Sequence, residues 1–373
     1  MTTEVTQQPG QSQQSQQSEQ PGQPGPSQVA EAVKDYYGKV LASSADLKTT
    51  ACCTATAPPP HIAAALNRVH EEVKDRYYGC GSPIPPALEG ATVLDLGCGS
   101  GRDVYVLAQL VGPTGRVIGV DMTDEQLAVA RRHADWHAEE FGYANVEFRQ
   151  GYIEDLAAAG IEDGSVDLVV SNCVLNLSPD KPRVLAEIFR VLREGGEMYV
   201  SDIFADRRLP AGLLDNPVLV GECLAGALYT EDFRRVLDRA GCADARTVAE
   251  SPVELTDPEV AREIGFATFT SRTVRAFKLP LEDLCEDYGQ VAVYRGTLPE
   301  HPHAFDLDDH HHFPTGKPLL VCGNTADMLS ATRYAPHFTV TGDKSTHFGP
   351  FPCGPATAAG ASSAPGQGAA ACC

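Results

Sequence analysis

Two sets of residues in this chain could do chemistry. The first is the run Asp95-Leu-Gly97-Cys98-Gly99-Ser100-Gly101-Arg102-Asp103, in which three alternating glycines follow a carboxylate. Glycines so placed permit a tight turn and keep side chains away from whatever docks there. The second is a complement of twelve cysteines. In a reducing compartment so many thiols are not structural disulfides, and they lack the paired C-x-x-C spacing of a zinc site.

The elements around the glycine run say which ligand it suits. Val93 to Leu96 reads as a buried parallel strand, and from Asp103 the spacing of Val104, Leu107, Ala108 and Val111 is helical. Strand, glycine turn and helix N-terminus make a nucleotide-binding corner. A dinucleotide fingerprint would need glycine where Arg102 stands, and a phosphate loop would need a Gly-Lys pair that is absent. An acid ahead of the turn would repel a pyrophosphate, yet suits the ammonium and sulfonium of S-adenosylmethionine (SAM). A second strand, Gly115 to Met122, ends in Asp121, near the ~20-residue spacing at which a carboxylate takes ribose hydroxyls. The run from Asp95 to Gly101 resembles motif I of the class I SAM-dependent methyltransferases.

Composition agrees with a small-molecule enzyme. Lys and Arg number 29 against 50 Asp and Glu in 373 residues, a net charge of −21. That field disfavours nucleic acid and suits a small neutral or cationic substrate. No apolar run approaches the ~20 residues of a membrane span, the N-terminus lacks an apolar leader core, and the first basic residue is Lys34. The expected compartment is the cytosol.

Along the chain, residues 1–28 are a Gln-, Ser-, Pro- and Gly-rich tail expected to be disordered. Residues 29–88 are an N-terminal helical segment carrying Cys52 and Cys80, with a helix over 61–78. Residues 89–280 alternate strand and helix, predicting a doubly wound, mostly parallel sheet of α/β class. Its expected elements are a helix over 123–141 capped by Thr123, strands at 146–150, 166–171 and 197–203, and a helix over 180–193. A helical stretch over 213–228, a helix over 231–240 capped by Thr230, and extended segments at 245–255 and 266–278 follow. Residues 281–350 are read as a small C-terminal domain, and 351–373 as a flexible tail ending in Cys372-Cys373.

In open parallel sheets the ligand lies beyond the carboxyl ends of the strands. Cys173 follows the fourth strand there, Cys223 follows the fifth, and Cys80 sits in a Gly-flanked loop before the first. Each alone reads as a small packed hydrophobe, but their joint placement points to convergent thiolates, which select a soft centre. Zinc is one candidate. A methyl donor beside the thiols argues instead for a bound atom that is itself methylated. Trivalent arsenic takes three thiolates and keeps a lone pair that can attack a sulfonium methyl without a general base.

With these residues assembled, the chain resembles the arsenite SAM methyltransferases of algal and animal type. The matching runs are Arg76-Tyr-Tyr-Gly-Cys80-Gly, Asp95 to Asp103, Gly119-Val-Asp-Met-Thr, Gly151-Tyr-Ile-Glu, Val170-Ser-Asn-Cys173-Val-Leu-Asn-Leu and Gly221-Glu-Cys223-Leu-Ala-Gly-Ala-Leu-Tyr. The resemblance implies that Cys173 and Cys223 hold arsenic, that Cys80 joins them, and that Cys52 pairs with Cys80 in redox steps. Cys52 is adjacent to Cys53, and Cys52 is the preferred assignment. The resemblance also places Tyr78 near the sulfonium, and Asp95, Gly97, Gly99, Gly101, Asp121, Met122, Ile153 and Glu154 around SAM. It implies arsenite and methylarsenite as substrates, with glutathione or thioredoxin as reductant. Two alternatives stay open: a SAM-dependent C- or O-methyltransferase, and a thiol sink for arsenic or metals. His301, His303 and His310 to His312 with Asp306, Asp308 and Asp309 are expected to form a solvated polar loop. Cys98, Cys242, Cys285 and Cys322 are expected to be packing residues.

Overall fold

A computed structural model describes residues 33–34, 57–77, 79, 83–221 and 223–352. Cys52, Cys53, Tyr78, Cys80, Glu222, Cys353, Cys372 and Cys373 lie outside those residues, as do the expected N-terminal tail and nearly all of the expected C-terminal one.

Helices α1 (Pro60–Asn67) and α2 (Glu71–Asp75) precede strand β1 (Thr92–Leu96). The single helix expected over 61–78 is therefore two. The chain breaks at Arg68 to His70, where the His70 ring accepts from Glu72 N and starts a new helix. Then come α3 (Arg102–Val111), β2 (Arg116–Asp121), α4 (Asp124–Arg132), α5 (Ala134–Phe141), β3 (Val146–Gln150) and β4 (Val166–Asn172). The expected helix over 123–141 is likewise divided, at His133, whose Nε2 lies 2.8 Å from Glu72 Oε2 and whose ring stacks on His70. Thr123 does occupy the N-cap of α4, but its side chain makes no capping bond.

Next are α6 (Lys181–Val191), capped by Asp180 through Arg183 N, and the long strand β5 (Leu192–Ala205). The helix expected over 213–228 is replaced by a 3-10 turn at Ala211–Asp215, the short α7 (Pro217–Gly221) and β6 (Leu228–Tyr229). Cys223 has φ 62°, a left-handed conformation that no right-handed helix can pass through. Helix α8 (Thr230–Arg239) follows with Tyr229, not Thr230, at its N-cap, then β7 (Ala245–Val253), α9 (Pro258–Ile264) and β8 (Phe269–Phe277).

These strands form one sheet in the order β3-β2-β1-β4-β5-β8-β7, with β6 pairing beside β5. Strands β1 to β5 are parallel, and β8 is antiparallel to both β5 and β7. Successive β1 residues serve opposite faces. Val93 packs with Val104, Leu107 and Val111, while Leu94 and Leu96 pack with Leu185 and Ile188 of α6. Strand order reverses between β1 and β4, which opens a crevice at their carboxyl ends.

The remaining elements are β9 (Glu286–Asp287), β10 (Gln290–Tyr294), β11 (Ala304–Asp306), β12 (His312–Pro314), β13 (Pro318–Val321), α10 (Gly323–Ser330), β14 (Phe338–Thr341) and β15 (Gly349–Pro350). Their own core gathers Tyr294, Phe305, Phe313, Leu329, Tyr334 and Phe338 onto Phe277 at the end of β8. Arg275 ties this core to the sheet: its Nε donates to Glu197 Oε1 at 2.7 Å, and its other nitrogens reach Leu307 O and Tyr334 Oη. Removing one partner from such a buried pair costs about 3–5 kcal/mol. The histidine-rich loop departs from its expected solvation at Asp308, which is buried against Arg246 and accepts from His311. His310 and His312 remain exposed.

Candidate functional site

The crevice is walled by the glycine turn, by the end of β2 with Met122 and Thr123, by Gly151 to Glu154 after β3, and by Asn172 to Val174 after β4. About 1010 Å³ of space, open solvent included, lies between these walls.

The turn is built from the backbone outward. Gly97 and Cys98 both donate to Val120 O, at 2.7 and 3.1 Å, which draws the turn across β2. Gly97, Gly99 and Gly101 all have positive φ. A Cβ on Gly97 would lie 2.4 Å from Val174, and one on Gly101 2.9 Å from Phe148, so packing demands glycine at both. A Cβ on Gly99 would meet nothing within 4 Å. The space there belongs to the crevice.

Asp121 fastens this turn as well as facing the crevice. Its Oδ2 accepts from Gly99 N at 2.8 Å and its Oδ1 from Thr123 N at 2.8 Å. Burial nevertheless raises its carboxyl above the usual range. Asp95 is raised further, first by burial and then by repulsion from Asp103 and Asp121. Three carboxylates thus crowd one end of the crevice, where a cationic ligand would relieve both the repulsion and the loss of water. Arg102 pairs with Asp103 at 2.7 Å and lies over the Tyr77 ring. Ser100 donates to Val73 O at 2.8 Å, fixing α2 against the turn.

Thiols occupy the other end. Three non-glycine residues among those described have positive φ, and two of them are Cys173 (57°) and Cys223 (62°). Such backbone costs about 1–2 kcal/mol per residue in an L-amino acid and collects where function over-determines the structure. Cys173 N donates to Ser201 O at 2.8 Å, and the Cys223 thiol donates to Cys173 O at 3.1 Å. The sulfurs of Cys173 and Cys223 and a carboxylate oxygen of Asp202 all lie within 4.8 Å of one another. All three residues are buried. Cys173 takes part in a disulfide, and none of the other described cysteines is its partner.

Asp202 escaped the sequence reading, although an acid at the carboxyl end of a buried strand is a legible signal. Asn176 Nδ2 and Ile203 N donate to its Oδ1 at 2.7 and 2.8 Å. Burial holds its carboxyl up at about 6, against the pull of these donors and of Lys181. Lys181 was missed too. It is half-buried behind the thiols, donates to Ser178 O at 2.9 Å, and its ammonium is lowered by desolvation despite Asp202 and Cys223 nearby.

Of the residues expected at the site, Asp95, Gly97, Gly99, Asp121, Met122, Ile153, Glu154 and Cys173 line the crevice, and Cys223 touches it through Cys173. Gly101 does not line it; it sits at the N-cap of α3 and acts through backbone shape. Tyr78, Cys52, Cys53 and Cys80 lie outside the described residues. Cys98 is at the turn with its thiol pushed well up by burial, which fits a packing role.

Two families match parts of the chain: a methyltransferase domain over residues 88–241 and an arsenite methyltransferase C-terminal domain over 288–360. The chain is 58% identical to an arsenite methyltransferase of Aquipseudomonas alcaligenes over 86% of this chain and 93% of that protein. It is 44% identical to the arsenite methyltransferase of Mus musculus over 84% of each. The crystal structure of an arsenic(III) S-adenosylmethionine methyltransferase from Chlamydomonas reinhardtii superimposes with a TM-score of 0.77 at 56% identity, over 79% of this chain and 100% of that one.

Proposed function

The chain belongs to the arsenite methyltransferases, SAM-dependent enzymes of class I fold, and from that premise we propose how its residues divide the work. Cys173 and Cys223 hold trivalent arsenic as thiolates at one end of the crevice, and the carboxylate end holds SAM. The observation that carries this reading is the convergence of two left-handed cysteines, 50 positions apart in sequence, on the crevice that the glycine turn opens.

The site fits SAM in two respects. Gly99 leaves its side-chain space vacant toward the crevice, and Asp95, Asp103 and Asp121 supply negative charge for a ligand bearing an ammonium and a sulfonium. SAM, when bound, supplies an electrophilic methyl group. Asp121 takes the ribose hydroxyls and Asp95 faces the cationic end, with Met122, Ile153 and Glu154 forming the opposite wall. At the thiol end, sulfur is the soft donor that trivalent arsenic selects. Exchange of arsenic hydroxyls for thiolates moves each thiol proton onto a leaving hydroxide, and Asp202 is the carboxylate near enough to carry it from Cys223. The methyl transfer itself uses the arsenic lone pair and needs no base.

Cys80 as the third thiolate, Cys52 as its redox partner and Tyr78 near the sulfonium stay part of this proposal on the strength of the sequence resemblance. Cys173 must leave its disulfide before it can ligate, so a thiol reductant such as glutathione or thioredoxin is required. Residues 89–280 form the catalytic domain and 281–350 the appended one. Among the described residues no helix is long and apolar enough to cross a membrane, and the cytosol is the proposed compartment.

Purified protein with SAM, glutathione and arsenite, sampled over time with arsenic species resolved, tests this. Methylated arsenic and S-adenosylhomocysteine should appear together. Stoichiometric arsenic binding without S-adenosylhomocysteine would make the chain a sink, and full activity of cysteine variants would move the acceptor to carbon or oxygen.

A further inference from the structure

Arg333, in the turn after α10, joins three parts of the chain that lie far apart in sequence. Its Nη1 pairs with Glu197 Oε2 on β5, its Nη2 donates to Tyr334 Oη at 2.6 Å, and its Nε donates to Pro86 O at 3.2 Å. The turn that carries it is itself fixed. Thr332 Oγ1 donates to Met328 O at 2.6 Å and accepts from Tyr334 N at 3.3 Å, and a Cβ on Gly195 of β5 would collide with Ala331 O. Glu197 does not depend on Arg333 alone, because Arg275 pairs with it as well.

Pro86 belongs to a stretch, residues 83–88, that leads from Cys80 toward β1. Prolines at 83, 85 and 86 fix φ there and bias Ile84 and Pro85 toward extended backbone, so the stretch is stiff. It is packed on three sides. Ile84 lies against the core between α1 and α3, Leu88 against the β1 face, and Ala87 against the core formed after β8. Ala87 is the third of the described non-glycine residues with positive φ, at 62°. As at Cys173 and Cys223, an L-residue keeps that conformation where its surroundings hold it.

On the other side of Cys80, Gly79 is buried at the crevice. A Cβ there would lie 2.8 Å from Asn172 Nδ2 and closer still to Tyr77 Oη, two side chains that line the crevice, and Asn172 immediately precedes Cys173. The chain is therefore held on both sides of residues 80–82, by the crevice at Gly79 and by the stiff stretch from Pro83 onward. At no more than ~3.6 Å per residue, so short a run has little slack with which to absorb a shift of that stretch.

We propose that Arg333 is a positioning residue for Cys80, through which the elements after β8 take part in arsenite methylation. The role rests on the reading of Cys80 as the third thiolate. Arsenite has three hydroxyls to exchange and uses three thiolates, whereas methylarsenite has two and is satisfied by Cys173 and Cys223. Arg333 does not line the crevice. It anchors the stretch that leads away from Cys80, so its loss displaces the third sulfur and leaves the other two in place.

The test compares initial methylation rates on arsenite and on methylarsenite for the full-length chain, with glutathione and saturating SAM. In Arg333→Ala the arsenite-to-methylarsenite rate ratio should fall by about tenfold or more, since misplacing a reacting group by even ~1 Å can cost on the order of a hundredfold. A smaller fall in the ratio, whether both rates hold or both drop together, overturns the proposal, because general loosening lowers both alike. Should Arg333→Ala fail to fold, Arg333→Lys is measured against the same threshold. It keeps a cation for Glu197 but lacks the planar fork that also reaches Pro86 O and Tyr334 Oη. Cys80→Ser is assayed beside them. Wild-type turnover of arsenite in Cys80→Ser would refute the third-thiolate reading, and the positioning role would fall with it. Loss of arsenite turnover in Cys80→Ser with an unchanged ratio in the Arg333 variants would keep that reading and remove Arg333 alone.

Discussion

The two ends of the crevice use the same backbone conformation for opposite purposes. At the proposed donor end, Gly97, Gly99 and Gly101 take positive φ, the region open to a residue without a Cβ, and the result is a close-packed turn with room at Gly99. At the proposed acceptor end, Cys173 and Cys223 take positive φ with their side chains in place, and the result is two sulfurs brought beside one carboxylate. The first arrangement costs little and is written in consecutive residues. The second is held by contacts between segments far apart, such as Cys173 N to Ser201 O and the Cys223 thiol to Cys173 O. A tolerated strain with a functional side chain attached is a stronger pointer to chemistry than an unstrained turn.

The comparison breaks most visibly if the thiols are removed. Cys173→Ser and Cys223→Ser should each abolish arsenic binding and turnover while SAM affinity stays near normal, because a hydroxyl is a hard ligand and does not replace a soft thiolate. Wild-type methylation rates on arsenite and methylarsenite in either variant would dissolve the acceptor end as described.

At the donor end, Asp121→Ala should weaken SAM binding roughly ten- to a hundredfold, the equivalent of about 1.5–3 kcal/mol for a lost charged hydrogen bond. The same change frees Gly99 N and Thr123 N, so the turn should loosen as well. Calorimetric titration that finds unchanged affinity would remove Asp121 from the site.

Asp202 distinguishes the ends by pH. Its folded-state carboxyl sits at about 6, above the ordinary 3.8. A group raised in this way contributes stability that is fully present below the unfolded value and lost as pH rises through 6. Asp202→Asn carries no such dependence. The variant should therefore gain on the wild type by about 2.4 kcal/mol between pH 4 and pH 7. Urea unfolding at the two pH values measures it, and a difference independent of pH would mean the carboxyl is not held up by burial.

The smallest effect concerns the strain itself. Cys223→Gly should be about 1 kcal/mol more stable than Cys223→Ala, since only glycine accepts φ 62° without cost. Equal midpoints in thermal or urea unfolding would show that the loop relaxes when the thiol is gone.

The amino-acid sequence by itself determined the glycine turn and most of the sheet. A carboxylate, alternating glycines and a change of hydrophobic period are local signals, and β1, the turn, α3 and β2 lie where those signals put them. It also singled out Cys173 and Cys223, because topology alone brings strand ends to one edge. Tertiary structure decided what local periodicity could not. The helices expected over 61–78 and 123–141 are broken where His70 and His133 stack and reach Glu72 across the two segments. The helical period read through 213–228 stops short of Cys223, whose left-handed backbone is fixed by its neighbours in space. Asp202 and Lys181 gained their perturbed ionisation from lying together behind the thiols, Asp202 buried and Lys181 half-buried. Burial and long-range contact set those charges and backbone angles, and neither is encoded in the spacing of residues along the chain.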